Sequence, residues 1–178
     1  MRRISCVVIL MLLVSFTTLQ AQDMPKAELF GGYSYAGEGS NGFDTSIAGN
    51  VNDWFGLVAD VSGQYTRLEE EGIREKIRTN SYLFGPRFSL RKNQRVTPFA
   101  HALFGVSHVK SEAIELGQTF AFSDTSFGMA LGGGLDVTVN DNLAIRVAQV
   151  DYLRTRFFNQ TQNEGRIAVG VVLRFGKK

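Results

Sequence analysis

The sequence predicts an all-β fold, an eight-stranded antiparallel up-and-down transmembrane β-barrel. Three observations predict it. From Lys26 onward apolar and polar residues alternate with a period of two, and polar segments interrupt this pattern at intervals. The connections alternate between short and long, as they do in bacterial outer-membrane barrels. The polar face of the strands carries mostly Gly, Ala and Ser, which suits a narrow barrel interior.

The alternating segments predict the individual strands in order along the chain. They cover residues 27–36, 43–51, 55–66, 77–90, 97–109, 125–139, 143–155 and 166–176. Short connections at 52–54, 91–96 and 140–142 are rich in Asn, Asp and Lys and predict tight turns. Longer polar connections at 37–42, 67–76, 110–124 and 156–165 are expected to form exterior loops. An even strand number also places both termini on the periplasmic side.

Strand eight illustrates which face is expected to meet lipid. One face carries the bulky apolar residues Ile167, Val169, Val171, Leu173 and Phe175. The other carries Arg166, Ala168, Gly170, Val172 and Arg174. All six lysines of the sequence lie in predicted loops or at strand ends, so no strand face resembles a solvated outer surface. The bulky face is therefore predicted to point outward, to lipid, which tolerates only helices and closed barrels.

Aromatic residues near the predicted strand ends indicate two interfacial girdles. Tyr33, Tyr35, Tyr65 and Tyr82 lie near the long connections, and Trp54, Phe55 and Phe88 lie near the short turns. The simpler interpretation is the ordinary preference of aromatic residues for strands.

The N-terminal residues 1–21 are predicted to be a signal peptide, which leaves residues 22–178 as one barrel domain. Arg2 and Arg3 precede an apolar run of 13 residues, Ile4 to Phe16, which is too short for a spanning helix. Cleavage is expected after Ala21. Removal of the signal peptide leaves 17 basic and 17 acidic residues, so the mature chain has no excess of positive charge with which to bind nucleic acid.

Candidate chemistry is sparse. Cys6 lies in the signal peptide, so the mature chain has no thiol. The run Gly132-Gly133-Gly134 lies inside a predicted strand and lacks the Lys-Ser/Thr of a phosphate loop, so close packing explains it. His101 and His108 are predicted to face opposite sides of one strand and cannot share a metal. No metal, cofactor or enzymatic activity is therefore expected.

Charged residues on the predicted inner face form the most informative group. Glu28, Arg87, Asp136, Arg146 and Arg174 fall near the periplasmic strand ends, and Asp60 lies on the inner face of strand three. The hairpin register predicts that Asp136 pairs with Arg146, and closure of the barrel is expected to bring Glu28 to Arg174. A β-bulge near Val147-Ala148 is predicted, because Gln149 and Asp151 otherwise point into lipid. The network is interpreted as a structural plug, and the alternative is a gated or leaky ion path.

Four segments carry a resemblance to a known family. They are NSYLFGPRFSL (80–90), VTPFAHALFGVSH (96–108), FGMALGGGLDVTVNDNLAIRVAQVDYL (127–153) and VGVVLRFG (169–176). Together they resemble the outer-membrane β-barrel domain family, which is similar to the transmembrane domain of outer membrane protein A. The resemblance implies insertion by the barrel-assembly machinery, whose signal Gly170, Leu173 and Phe175 match. Ala168 departs from it, because a polar residue is usual there. The anchoring role of longer relatives, which carry a peptidoglycan-binding domain after the barrel, is not expected for this chain.

The predicted function is a structural or interaction role at the bacterial envelope. The expected partners are outer-membrane lipid and lipopolysaccharide, and an external ligand at the long loops. There, the acidic run Glu69-Glu70-Glu71 lies near Arg74, Glu75 and Lys76. Two alternatives stay open: a small porin or transporter for ions or small solutes, and a soluble periplasmic lipocalin-like binder. Eight strands leave an interior filled by side chains, which favours the first function over the porin.

Overall fold

The computed structural model describes residues 24–70, 73–93, 95–115, 118–157 and 160–177. The predicted signal peptide and Glu71 lie outside the described residues. The strands are β1 (Pro25–Ala36), β2 (Ser40–Asn50), β3 (Phe55–Glu70), β4 (Ile73–Ser89), β5 (Val96–Glu115), β6 (Gln118–Asn140), β7 (Leu143–Phe157) and β8 (Gln160–Lys177). A short 3-10 turn, Gly37–Gly39, links the first two strands. Each strand pairs antiparallel with its neighbour in sequence, and β1 pairs with β8 to close the barrel.

The predicted fold class and strand order are confirmed, but the exterior connections are shorter than the sequence predicts. Residues 67–70 and 73–76 continue β3 and β4, and 110–115 and 118–124 continue β5 and β6. Residues 40–42 belong to β2, and residues 156–157 and 160–165 belong to β7 and β8. Where both faces of a strand meet water, apolar and polar residues no longer alternate, although backbone pairing continues. The prediction that these polar residues form loops is therefore wrong.

The two faces of the strands are assigned as the sequence predicts. The apolar side chains of β8, from Ile167 to Phe175, are exposed on the outer surface, and Arg166, Ala168, Val172 and Arg174 are buried inside. Part of the interior is apolar. Ala48, Val58, Leu83, Leu103 and Ala130 form one buried cluster, and Phe30, Ala144, Ala168 and Val172 form another.

The aromatic residues lie on the outer surface at two levels. Tyr33, Tyr35, Tyr65 and Tyr82 are exposed towards the long hairpins. At the opposite end the rings of Trp54 and Phe88 stack with centroids 6.0 Å apart, and Phe55 is tilted against both. Two aromatic levels bounding an apolar band are typical of membrane barrels.

The predicted β-bulge in β7 is present. Leu135 pairs with Ala148, but the next residue, Asp136, pairs with Arg146, so β7 contains an extra residue at this point. Val147 and Ala148 are exposed outside, while Arg146 and Gln149 are buried inside. The bulge therefore turns the polar residues on both of its sides into the barrel.

Strands β3 to β6 extend beyond the rest of the barrel on the exterior side. Their ends, residues 66–70, 73–79, 108–115 and 118–125, form what we call the exterior sheet. β2 pairs with β3 only up to Tyr65, and β7 pairs with β6 only from Gly128. Among the described residues, the exterior sheet therefore has an unpaired edge along β3 and another along β6. The described residues contain no helix long and apolar enough to cross a membrane.

Candidate functional site

The periplasmic end of the barrel is filled by an ionic cluster, which we call the periplasmic cluster. Its members are Glu28, Arg87, Arg91, Asp136, Arg146 and Arg174, and five of them are at most 7% exposed as whole residues. Arg87 joins the two carboxylates: Nη1 lies 2.9 Å from Glu28 Oε2, and Nη2 lies 3.1 Å from Asp136 Oδ2. These bonds connect β1, β4 and β6 across the interior.

The cross-strand pairs expected from register are part of this cluster. Asp136 and Arg146 lie opposite each other, and Arg146 donates from Nε and Nη2 to the two carboxylate oxygens at 2.8 and 3.1 Å. Glu28 and Arg174 are opposite each other where β1 meets β8, with Arg174 Nε 3.3 Å from Glu28 Oε1. Two-point contact between guanidinium and carboxylate makes the first pair the stronger one.

Aromatic rings support the guanidinium groups of this cluster. Arg146 Cζ lies 4.1 Å from the centroid of Phe30 and 4.3 Å from that of Phe99. Arg87 Cζ lies 4.2 Å from the Phe99 centroid. Stacked guanidinium groups gain a cation–π contribution, which is larger in a site removed from water.

Arg91 is a member that sequence reasoning missed. It lies just after β4, and its side chain folds back over the barrel end. Nη1 donates to the Asp53 carbonyl at 3.0 Å, and Nη2 to Glu28 Oε1 at 3.3 Å. The sequence placed Arg91 in a turn, where alternation gives no indication of an inward direction.

A second ionic cluster lies further towards the exterior, and we call it the central cluster. It contains Asp44, Asp60, Asp151 and Arg166, all at most 2% exposed, with His101 beside them. Arg166 Nη2 lies 2.7 Å from Asp151 Oδ2 and 3.5 Å from Asp44 Oδ2. Arg166 Nη1 lies 3.5 Å from Asp60 Oδ1. One guanidinium thus faces three carboxyl groups from three other strands.

Asp60 therefore does not contact the other five predicted network residues, because its ion pair is with Arg166. The remaining central residues were missed as a group. The alternation along β8 predicts that Arg166 faces inward, and the predicted bulge in β7 predicts the same for Asp151. Neither observation indicates which strands bring these side chains into contact. Gln149 links the two clusters, since it accepts from Arg146 Nη1 at 2.7 Å and donates to Asp44 Oδ2 at 3.1 Å.

The two histidines face opposite sides, as predicted. His101 is buried, with Nε2 2.7 Å from Asp151 Oδ1. His108 belongs to the outer face of β5, with Nδ1 2.7 Å from Thr125 Oγ1. Over the residues that are described, no group of three or more His, Cys, Asp and Glu side chains is arranged to hold a metal ion. The glycine run lies inside β6, and a Cβ on Gly132 would come 2.0 Å from Asp151 Oδ1.

The predicted assembly-signal residues lie on β8. Leu173 and Phe175 are exposed on the outer surface. A Cβ on Gly170 would come 2.3 Å from the Gly31 carbonyl oxygen, so glycine is needed for β8 to approach β1 at the closing seam.

On the outer face of β4 and β5, the side chains change from aromatic and apolar to polar and then to charged towards the exterior. Tyr82 and Val106 face outward opposite each other, and the next outward pair is Asn80 and His108. The following outward pair is Arg78 and Lys110, both exposed. Arg78 Cζ lies 5.9 Å from the ring centroid of Tyr65, its opposite residue on β3. Two cations are therefore directly opposite each other just above the aromatic level.

The inner face of the exterior sheet is partly apolar. Phe122 continues the inner face of β6 and is 60% exposed, because the barrel wall opposite it has ended. Its opposite residue on β5 is Ser111. Val109 on β5 shares this face, and Ile77 continues the inner face of β4. An exposed apolar face beside an unpaired strand edge is typical of interaction surfaces.

Comparisons with known proteins place this fold among outer-membrane barrels. Ail, the attachment invasion locus protein of Yersinia pestis, superposes with a TM-score of 0.66 at 21% identity, over 85% of this chain and 99% of that chain. Neisserial surface protein A gives 0.56 at 18% identity, over 84% and 94%. The N-terminal barrel domain of Pseudomonas aeruginosa OprF gives 0.53 at 13% identity, over 86% and 100%. These likenesses show the fold alone.

Comparison of the sequence with known proteins and families shows more than the fold. No curated protein matches the chain. The model of the outer membrane protein beta-barrel domain family, however, matches residues 6–175, which is nearly the whole chain. With the closed eight-stranded barrel, this match shows that the chain belongs to the outer membrane protein beta-barrel domain family.

Proposed function

We propose that this outer-membrane barrel acts as an interaction protein of the envelope and that the exterior sheet is its binding surface. The single observation that carries the proposal is the unpaired edge of β6 beside the exposed inner face that contains Phe122. The edge residues Gln118–Ser123 contain no charged residue and no Pro, the features with which natural edge strands block pairing. An extended segment of an external protein can add to such an edge by backbone hydrogen bonds.

The test is a binding comparison on whole cells. Phe122→Lys places a charge on the apolar inner face and is expected to reduce retention of cells on protein-coated surfaces at least several-fold. Asn80→Lys adds the same charge to the outer face of β4, a strand paired on both sides, and serves as the matched control. Both variants should reach the outer membrane in wild-type amount. Equal retention of the two variants and the wild type would contradict a role for this face.

The interior clusters support an interaction role over a conducting one. Both lie across the barrel lumen, and their charged groups bind one another instead of lining an open path. We infer that they plug the barrel, so that ions and small solutes pass poorly. Catalysis is not proposed, because the one buried histidine is engaged with Asp151 inside this packed interior.

Contact with lipopolysaccharide is the second part of the proposal, and the Arg78–Lys110 pair supports it. Like charges directly opposite each other on a sheet are destabilising unless an anion lies between them. Phosphate groups of the outer leaflet are anions at this level, and Ail has been solved with the polyanionic heparin analogue sucrose octasulfate. Arg78→Gln with Lys110→Gln should weaken binding to purified lipopolysaccharide. Unchanged binding relative to a control, His108→Gln, would contradict this contact.

Export and assembly complete the proposal. Residues 1–21 serve as a cleaved signal peptide, and Gly170, Leu173 and Phe175 are read by the barrel-assembly machinery. Leu173 and Phe175 are accessible on the outer surface of the last strand, which supports this. Phe175→Ser should lower the yield in the outer membrane, measured by fractionation. Wild-type yield would make Phe175 an ordinary lipid-facing residue.

A further inference from the structure

A small cavity lies inside the barrel between the central cluster and the exterior. Its volume is about 40 Å³, enough for an ammonium group or a few water molecules. Five hydroxyl groups, among them those of Ser62, Ser81 and Ser107, supply the polar lining together with the amides of Gln64 and Gln162 and the carboxyl group of Glu164. Among the described residues that line it, none is Lys or Arg. The polar lining is therefore rich in hydrogen-bond acceptors.

One acceptor in this lining has no protein partner. Gln64 is 7% exposed, and its Nε2 donates to Ser34 Oγ at 2.6 Å, while its Oε1 has no hydrogen-bond partner. Leaving a buried carbonyl oxygen unpaired is costly, so a donor is expected at this position when the site is filled. Ser81 and Ser107 hydroxyls lie 2.8 Å apart and can each offer a further lone pair.

The floor of the cavity carries surplus negative charge. Ser62 lies opposite Asp44 and two residues beyond Asp60 on β3. Asp44 and Asp60 share Arg166 with Asp151, and one Oδ1 on each of the first two has no hydrogen-bond partner. Three carboxyl groups face one guanidinium, so with a neutral His101 the cluster keeps at least one negative charge even when Asp44 and Asp60 share a proton. The potential in the cavity therefore favours a cation.

The remaining lining selects the kind of cation. Leu153 and Phe157 contribute apolar surface beside the polar groups. A donor that satisfies Gln64 Oε1, a positive charge and a short apolar stem are together the chemistry of a primary alkylammonium. We propose that the cavity is a binding site for a primary ammonium group that enters from the exterior. Its source is either a free small amine or the lysine side chain of an external polypeptide.

The experiment is an NMR titration of the refolded protein in detergent micelles with methylammonium chloride. Saturable shifts are expected for the Gln64 side-chain amide and for the backbone amides of Ser81 and Ser107, with a Kd of roughly millimolar order. Tetramethylammonium and sodium chlorides at equal concentrations carry the charge without N–H donors, and should give no saturable shift at these positions.

Variants and a second probe complete the test. Gln64→Leu should weaken methylammonium binding by about tenfold or more, as expected for the loss of one bond to a charged group. Ser89→Ala, buried at the periplasmic end, should leave it unchanged. If Gln64→Leu does not fold, Glu164→Gln removes a charge from the lining with little change in shape and should weaken binding several-fold.

A short lysine peptide and its Nε-acetylated form then distinguish the sources. Shifts from the unmodified peptide alone assign the site to a lysine side chain, and shifts only from methylammonium assign it to free amines. Absence of saturation with both probes, or equal shifts from tetramethylammonium, would overturn the proposal. The exterior-sheet function is tested by a different variant, Phe122→Lys, so the two proposals can fail separately.

Discussion

The periplasmic and central clusters have opposite charge balance inside one barrel. At the periplasmic end four guanidinium groups meet two carboxylates, and two aromatic rings lie against Arg87 and Arg146. In the centre one guanidinium meets three carboxyl groups, with two of its contacts as long as 3.5 Å. The difference shows which ionic groups hold each cluster together: two shared carboxylates in the first, and Arg166 as the one guanidinium in the second.

The largest expected effect is the loss of that one central cation. Arg166→Met leaves three buried carboxyl groups without a guanidinium, and is expected to destabilise the barrel by about 3–5 kcal/mol. The free energy of urea unfolding in detergent micelles measures it. Arg174→Met is the matched control, because Glu28 keeps Arg87 and Arg91 as partners. A smaller loss for Arg166→Met than for Arg174→Met would contradict the comparison.

An intermediate effect is expected from the cross-strand pair of the periplasmic cluster. Asp136→Ala removes the carboxylate that Arg146 and Arg87 share, so this substitution alone should strongly destabilise the folded barrel. The double variant with Arg146→Ala should be more stable than the sum of the single effects predicts, with a coupling of about 1–3 kcal/mol. Urea unfolding of all four proteins gives this number. Additive effects would mean that the two side chains act independently.

The smallest effect is expected at Arg91. Its side chain is 10% exposed, and Glu28 retains two other guanidinium partners without it. Arg91→Ala should cost no more than about 1 kcal/mol, as for a partly solvated ion pair. Unfolding measured beside Arg87→Ala tests this. If Arg91→Ala lowered the free energy of unfolding as much as Arg87→Ala does, Arg91 would be as important to the stability of the cluster as Arg87, which contradicts this prediction.

The same contrast shows what the sequence could reveal. Asp136 and Arg146 lie on either side of the short turn predicted at 140–142, so counting along the hairpin predicts their pairing. The bulge at Val147 is also predictable, because Asp151 must face inward. Arg166 is different: its partners Asp44 and Asp60 lie on β2 and β3, and only the closure and shear of the barrel bring them together. The alternation predicts whether a residue faces inward or outward, but it does not predict which residues from distant parts of the sequence it contacts.

The exterior sheet is a second feature that the sequence does not predict. Residues 67–76 and 110–124 carry polar residues at both odd and even positions, and such a pattern alone does not distinguish a loop from a paired strand in water. The unpaired edge of β6 is a property of relative strand lengths, because β7 ends at Phe157 while β6 begins at Gln118. No local pattern in either segment carries that information.

Conductance in planar bilayers tests most directly the claim that two ionic clusters close this barrel. The refolded wild-type protein should give no stable open level, whereas Arg166→Met with Arg87→Ala removes the central cation of each cluster and should give measurable ion flow. Arg91→Ala should remain closed like the wild type. A stable, ion-selective open state of the wild-type protein would contradict the account and favour the porin function.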